Sequence, residues 1–68
     1  MKISARNKLP GVIEQIDVDG LTAKVTMRSG DNCLVAVITR ESVEDMNLRV
    51  GDAVTAVIKS SSVMLAKE

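Results

Sequence analysis

The sequence predicts an all-β chain of five short strands, with one short helix between the third and the fourth. Three observations carry that expectation. Apolar residues recur mostly at the two-residue period of strands. Turn-forming dipeptides with Gly cut the apolar runs into strand-sized pieces. One segment, residues 39–48, drops the two-residue period and carries the chemistry of a helix start.

The first strand is expected at 11–18, "GVIEQIDV", where Val12, Ile13, Ile16 and Val18 surround an irregular middle suited to a bulge. "DG" at 19–20 is a strong turn signal, because Gly accepts a positive φ without steric cost. In "LTAKVTM" at 21–27, Leu21, Ala23, Val25 and Met27 face one way, and Thr22, Lys24 and Thr26 the other. "RSGDN" at 28–32 is the next turn. "CLVAVIT" at 33–39 is almost continuously apolar, the pattern of a strand covered on both faces. Thr39 is the expected N-cap of a helix through "TRESVEDMNL", with acids following where the helix dipole favours them. "VGD" at 50–52 turns the chain into "AVTAVIK" at 53–59 and "VMLA" at 63–66, the last two strands. Three strands, a helix and two strands is the order of the OB-like Greek-key barrel. Residues 1–68 make one domain, without repeat or linker. Strands this short leave open edges unless the sheet closes or pairs with another chain.

Composition narrows the function. The chain has no Phe, Tyr, Trp or His, and Cys33 is its only cysteine, so an internal disulfide and the Cys/His zinc spacings are excluded. A domain of this size buries only about 60% of the surface its unfolded chain exposes. Without staples or aromatic anchors, self-association is the expected source of the missing stability. Lys and Arg number 9, and so do Asp and Glu, which argues against non-specific binding to nucleic acid or anionic membranes. No apolar stretch approaches the roughly 20 residues of a membrane span. "MKISARNKLPG" lacks the apolar core of a secretory signal. The expectation is a cytoplasmic protein with a reduced thiol, in which Cys33 is a small buried hydrophobe.

Catalysis finds no support: there is no histidine to act as general base, and the carboxylates are scattered, most of them at turns or on the helix. The expectation is no enzymatic activity. An OB-like barrel suggests single-stranded nucleic acid, but such sites combine aromatic platforms with a basic groove, and the chain has neither. Two other stretches carry chemistry. In "ISARN" at 3–7, Ser4 and Arg6 are two apart and point to one face of an extended segment. The Ala5 amide lies between them. In "KSSS" at 59–62, Lys59 and Ser60 add an ammonium, a hydroxyl and further amides. Donors and cations with no carboxylate beside them suit a small, fully ionised dianion. A plainer reading stands beside this one. Ser4 and Arg6 belong to a frayed terminus, Lys59 to a strand edge, and the serines to an ordinary turn. Residue chemistry alone leaves open an oxyanion site, a nucleic-acid module and a structural interaction module.

"ISARNKLPG" followed near the other end by "TAVIKSSSVML" closely resembles the molbindins, the Mop family of small proteins that bind molybdate or tungstate. "SVEDMNLRVGD" resembles the family's short helix and following turn, so the likeness covers essentially the whole chain. The same module ends molybdate-responsive regulators and molybdate transporter ATPases; a chain one module long resembles the free-standing form. The resemblance implies an OB-like barrel assembled as a hexamer, a trimer of dimers, with oxyanion sites at subunit interfaces. Ser4, the Ala5 amide and Arg6 would come from one subunit, and Lys59 and Ser60 from a neighbour. Asn7 would cap the turn into the first strand, and Ser61 would keep a hydroxyl where relatives carry Thr. A second class of site near the threefold axis is implied, with "DGLT" at 19–22 as its candidate. Pro10 departs from the family pattern, but a proline at a strand start is tolerated. The implied role is intracellular storage of molybdate or tungstate, with no catalytic cofactor and no nucleic-acid or membrane partner.

Overall fold

The computed structural model describes residues 4 and 6–68. Its four strands, β1 Asn7–Asp19, β2 Thr22–Ser29, β3 Asn32–Thr39 and β4 Ala53–Ile58, form one antiparallel sheet in the order β3-β2-β1-β4. One helix, α1 Arg40–Asp45, falls between β3 and β4, as the sequence predicts. The sheet curls until residues of β3 and β4, its two end strands, line a common cleft.

β1 pairs twice. Asn7–Val12 runs against β4, and Val12–Asp19 against β2. The expected irregularity in its middle is present: the register shifts between Ile13 and Gln15, as at a bulge. The strand begins at Asn7 and not at residue 11, because pairing with β4 extends it through a stretch whose Lys8 and Pro10 hide the alternation. Pro10 is therefore inside the strand, not at its start. Its carbonyl accepts a hydrogen bond from the Ser29 hydroxyl at 2.7 Å. In a strand, N–H and C=O of one residue point the same way. The missing N–H of Pro10 thus faces the β2 side, beyond the last β2 rung at Val12↔Arg28, where no ladder donor is required.

Two-residue turns join β1 to β2 and β2 to β3, since Asp19 pairs with Thr22 and Ser29 with Asn32. Each opens with Gly at positive φ, Gly20 at 63° and Gly30 at 61°, which matches the right-handed twist of the flanking strands. The core is Ile13, Ala23, Val25 and Met27, so the alternation of β2 holds. Leu21, expected on that face, lies in the turn instead and is 85% exposed. Thr39 caps α1 as expected: its hydroxyl oxygen accepts from the Ser42 N–H at 3.0 Å. The helix ends at Asp45, short of residue 48, where Asn47 takes a left-handed φ of 51°.

Three expectations are corrected. β3 is an end strand covered on one face only: Leu34 and Ile38 are half-buried toward the core, while Val37 is 72% exposed. Cys33 is exposed, because it sits across from Arg28 on the outward face of the same strand. The fifth strand is not formed. Ser60–Ser62 is a single 3₁₀ turn, and residues 63–66 follow without a pairing partner. An apolar tetrapeptide becomes a strand only where a ladder receives it, and its own chain offers it none. No described helix is long and apolar enough to cross a membrane.

Gly11 marks where β1 passes from one partner to the other. A Cβ there would clash with the Arg28 carbonyl oxygen and come within 2.7 Å of the Met27 methyl. Since the first of these atoms is backbone, the sheet itself must move. Gly11→Ala is expected to cost about 1–3 kcal/mol, as overpacking does. Urea denaturation measures it, and an unchanged midpoint contradicts the close approach.

Candidate functional site

The last rung of the β1–β4 ladder joins Asn7 to Ile58. Asn7 strengthens it by donating from its side-chain amide to the Ile58 carbonyl at 3.2 Å. This clamp fixes where β1 starts and where β4 ends. Arg6 immediately precedes the rung and Lys59 immediately follows it. The fold thus brings the two ends of the chain, "SARN" and "KSSS", to one end of one ladder. That juxtaposition within a single chain is more than the sequence spacing alone conveyed.

Ser4, Arg6, Lys59, Ser60 and Ser61 are all exposed, and Asn7 is half-buried. Ala5 lies outside the described residues. Lys59 is extended, with φ −61° and ψ 139°, and the chain then closes the 3₁₀ turn. The Ser62 N–H donates to the Lys59 carbonyl at 2.9 Å, and the Val63 N–H to Ser60 at 3.4 Å. The amides of Ser60 and Ser61 open the turn and are left outside its own bonds. The candidate turn Asp19–Thr22 lies at the opposite end of β1, and there the Thr22 hydroxyl donates to the Asp19 carbonyl at 3.3 Å.

Charge is distributed unevenly. Neither residues 4–13 nor residues 53–67 contain Asp or Glu, while Arg6, Lys8 and Lys59 all fall in these two stretches. Lys8 was not singled out from the sequence. It sits two residues from Arg6, hence on the same face of the strand, and pairs with Val57 one rung in from the end. The period-two argument that joined Ser4 to Arg6 would have found it, had the strand been traced back to Asn7. The other arginines at close acids are committed: Arg28 contacts Glu14 at 3.1 Å and Arg40 contacts Glu44 at 3.0 Å. The hydrogen bond and charge of Glu14 raise the Arg28 pKa above its ordinary value. Among the described residues neither Arg6 nor Lys59 enters an ion pair.

The cluster offers hydrogen-bond donors and positive charge, and its chemistry is that of anion capture. Among the described residues no group of three or more His, Cys, Asp or Glu stands together as cation ligands. In the single chain the donors remain in water, which screens them and competes for the anion. Holding the ladder end is the part Asn7 plays. Asn7→Ala is expected to cost about 1 kcal/mol and to speed hydrogen exchange of the Ile58 and Lys59 amides. Unaltered exchange there contradicts the clamp.

Comparison with known proteins gives a consistent result. Residues 3–65 match the TOBE domain. The chain is 39% identical over 66 residues to molybdenum-pterin-binding protein 1 of Clostridium pasteurianum, spanning 96% of this chain and 97% of that protein. It is 44% identical over 69 residues to the molybdenum transport protein ModE of Azotobacter vinelandii, of which it spans only 26%. The solved structure of a molybdate-binding protein from Sporomusa ovata superposes with a TM-score of 0.95 at 42% identity, covering 98% of this chain and 100% of that one.

Proposed function

We propose a molybdate-binding role for this chain, which belongs to the Mop (molbindin) family of TOBE-domain proteins. It takes up molybdate or tungstate as whole oxyanions, holds them, and releases them unchanged. The observation that carries this reading is the donor cluster at the β1–β4 end, free of carboxylates in both contributing stretches. A tetrahedral dianion presents only acceptors, and Arg6 and Lys59 supply both charge and donors to meet them. Ser4, the Ala5 amide and Ser60 complete the set, with Ser61 as a further hydroxyl.

Exposure of these donors supports placing the site between copies. A dianion is held firmly where water is excluded and its oxygens find partners. A second copy seated on this end supplies that cover. We assign Ser4, Ala5 and Arg6 of one subunit and Lys59 and Ser60 of its neighbour to each site, in a hexamer built as a trimer of dimers; the ladder end of each chain then gives its Arg6 half to one site and its Lys59 half to another. Sulfate, being smaller, leaves the same donors too far from its oxygens. With no acid–base pair at this end, the oxyanion meets no group that would turn it over. Storage follows from equilibrium: sites fill when the free oxyanion rises above the dissociation constant and empty when it falls. A cytoplasmic location completes the reading.

Calorimetric titration with molybdate, tungstate and sulfate tests this. The first two are expected to bind with similar affinity and sulfate more weakly. Arg6→Ala and Lys59→Ala are each expected to lose about 1.5–3 kcal/mol, one to two decades in Kd, and Ser60→Ala about 1 kcal/mol. Absent molybdate heat, or unchanged affinity in both cation variants, contradicts the site. Static light scattering is expected to give a hexamer, and a folded monomer at micromolar concentration contradicts the assembly.

A further inference from the structure

We infer that Lys8 is the capture cation of the oxyanion site: it draws the dianion toward Arg6 and Lys59 by long-range attraction and does not ligate it. The inference rests on the oxyanion reading proposed above and adds to it a residue that sets how fast the site fills.

Register puts Lys8 there. It pairs with Val57, one rung inside Asn7↔Ile58. Residues opposite each other in an antiparallel ladder share a face, and so do residues two apart along a strand. Lys59 is two residues beyond Val57 and is itself extended, with φ −61° and ψ 139°. Arg6 is two residues before Lys8. Arg6, Lys8 and Lys59 therefore stand on one face of the ladder end. Strand spacings put Lys8 about 7 Å from Arg6 along the strand and about 7–8 Å from Lys59 on the diagonal. Of the three, Lys8 alone stands inside a paired rung; Arg6 and Lys59 lie just beyond the last one. Its backbone is anchored to the sheet, beside the Arg6 half of one site and the Lys59 half of another.

Charge counting gives Lys8 a role different from theirs. Two cations balance a dianion, and Arg6 and Lys59 supply both. A third is surplus to neutralisation. The protein does not use it elsewhere either. Arg28, the next cation along this face and opposite Val12, is taken by Glu14 at 3.1 Å. Among the described residues Lys8 enters no ion pair, and it is exposed. An exposed surplus cation acts at range. Within a Debye length, about 8 Å at physiological salt, it raises the local concentration of the dianion and speeds its arrival. Rim charges of this kind alter association and its salt dependence more than release. A lysine here has a plainer use, guarding the edge that Asn7–Gly11 leaves without a β2 partner. That use would leave oxyanion binding unmoved, so binding separates the two.

The test uses full-length chains and ⁹⁹Mo-labelled molybdate. Equilibrium dialysis gives Kd, and dilution into unlabelled molybdate gives the release rate. A unit charge about 8 Å from a dianion in water changes its binding about three- to fivefold at about 10 mM ionic strength, and hardly at all at about 1 M. Lys8→Gln is expected to raise Kd by that factor at low salt and to match the wild type in about 1 M sodium chloride. Lys8→Glu is expected to raise the low-salt Kd about tenfold or more, and Lys8→Arg to keep it native. Release rates are expected to stay within about twofold of the wild type, and light scattering to give every variant the wild-type assembly. Equal low-salt Kd values for wild type and Lys8→Gln would overturn the role of Lys8 and leave the oxyanion reading intact. So would a difference that persists at high salt, a failure of Lys8→Arg, faster release or an altered assembly, each of which makes Lys8 a ligand or a structural residue. A wild-type chain that binds no molybdate would overturn the oxyanion reading, and this role with it.

Discussion

Everything in this fold depends on β1 being shared between two ladders. One strand of 13 residues holds β4 with its first half and β2 with its second. The change of partner at Val12 forces a close approach at Gly11 and a register shift between Ile13 and Gln15. Those two features bend the strand, and the bend brings β3 and β4 round to face each other across the apolar cleft. The same pairing sets Asn7 against Ile58 and so brings Arg6 and Lys59 to one place. The site and the apolar cleft are two consequences of one strand's double duty.

The packing that results is thin. Among the described residues four are buried as the core, and none of them is aromatic. Outward-facing Val35 and Val37 on β3, and Met64 and Leu65 beyond the last turn, leave apolar surface in water. Burying such surface is worth about 25 cal/mol per Å², so contact with further copies offers the largest remaining gain in stability. The donor cluster needs the same event for another reason. Exposed cations bind an anion weakly, and a second chain that excludes water strengthens every charge-assisted hydrogen bond at the site. Assembly and oxyanion binding are therefore expected to stabilise each other.

Much of this was legible in the sequence. The alternation of β2, the Gly turns and the Thr39 cap each follow from a local rule, and each is where the sequence puts it. What failed was decided by partners. The start of β1 was missed because Lys8 and Pro10 break the apolar pattern in a stretch held by pairing with β4. The apolar run of β3 predicts cover on both faces, yet a single chain covers one. "VMLA" has the composition of a strand, but a strand needs a neighbour. The two halves of the candidate site, "SARN" and "KSSS", were legible as donor clusters. Their meeting at one rung, and the addition of Lys8, required the register.

The central claim is that each oxyanion is gripped by two chains, with Arg6 from one and Lys59 from the other. Complementation tests it most directly. Arg6→Ala chains and Lys59→Ala chains, each binding weakly alone, are unfolded together, refolded as mixed assemblies and titrated with molybdate. The account predicts a fraction of sites with native affinity, formed where an intact Arg6 meets an intact Lys59 across an interface. Mixed assemblies that recover no tight sites would show that both cations act within one chain, and would contradict it.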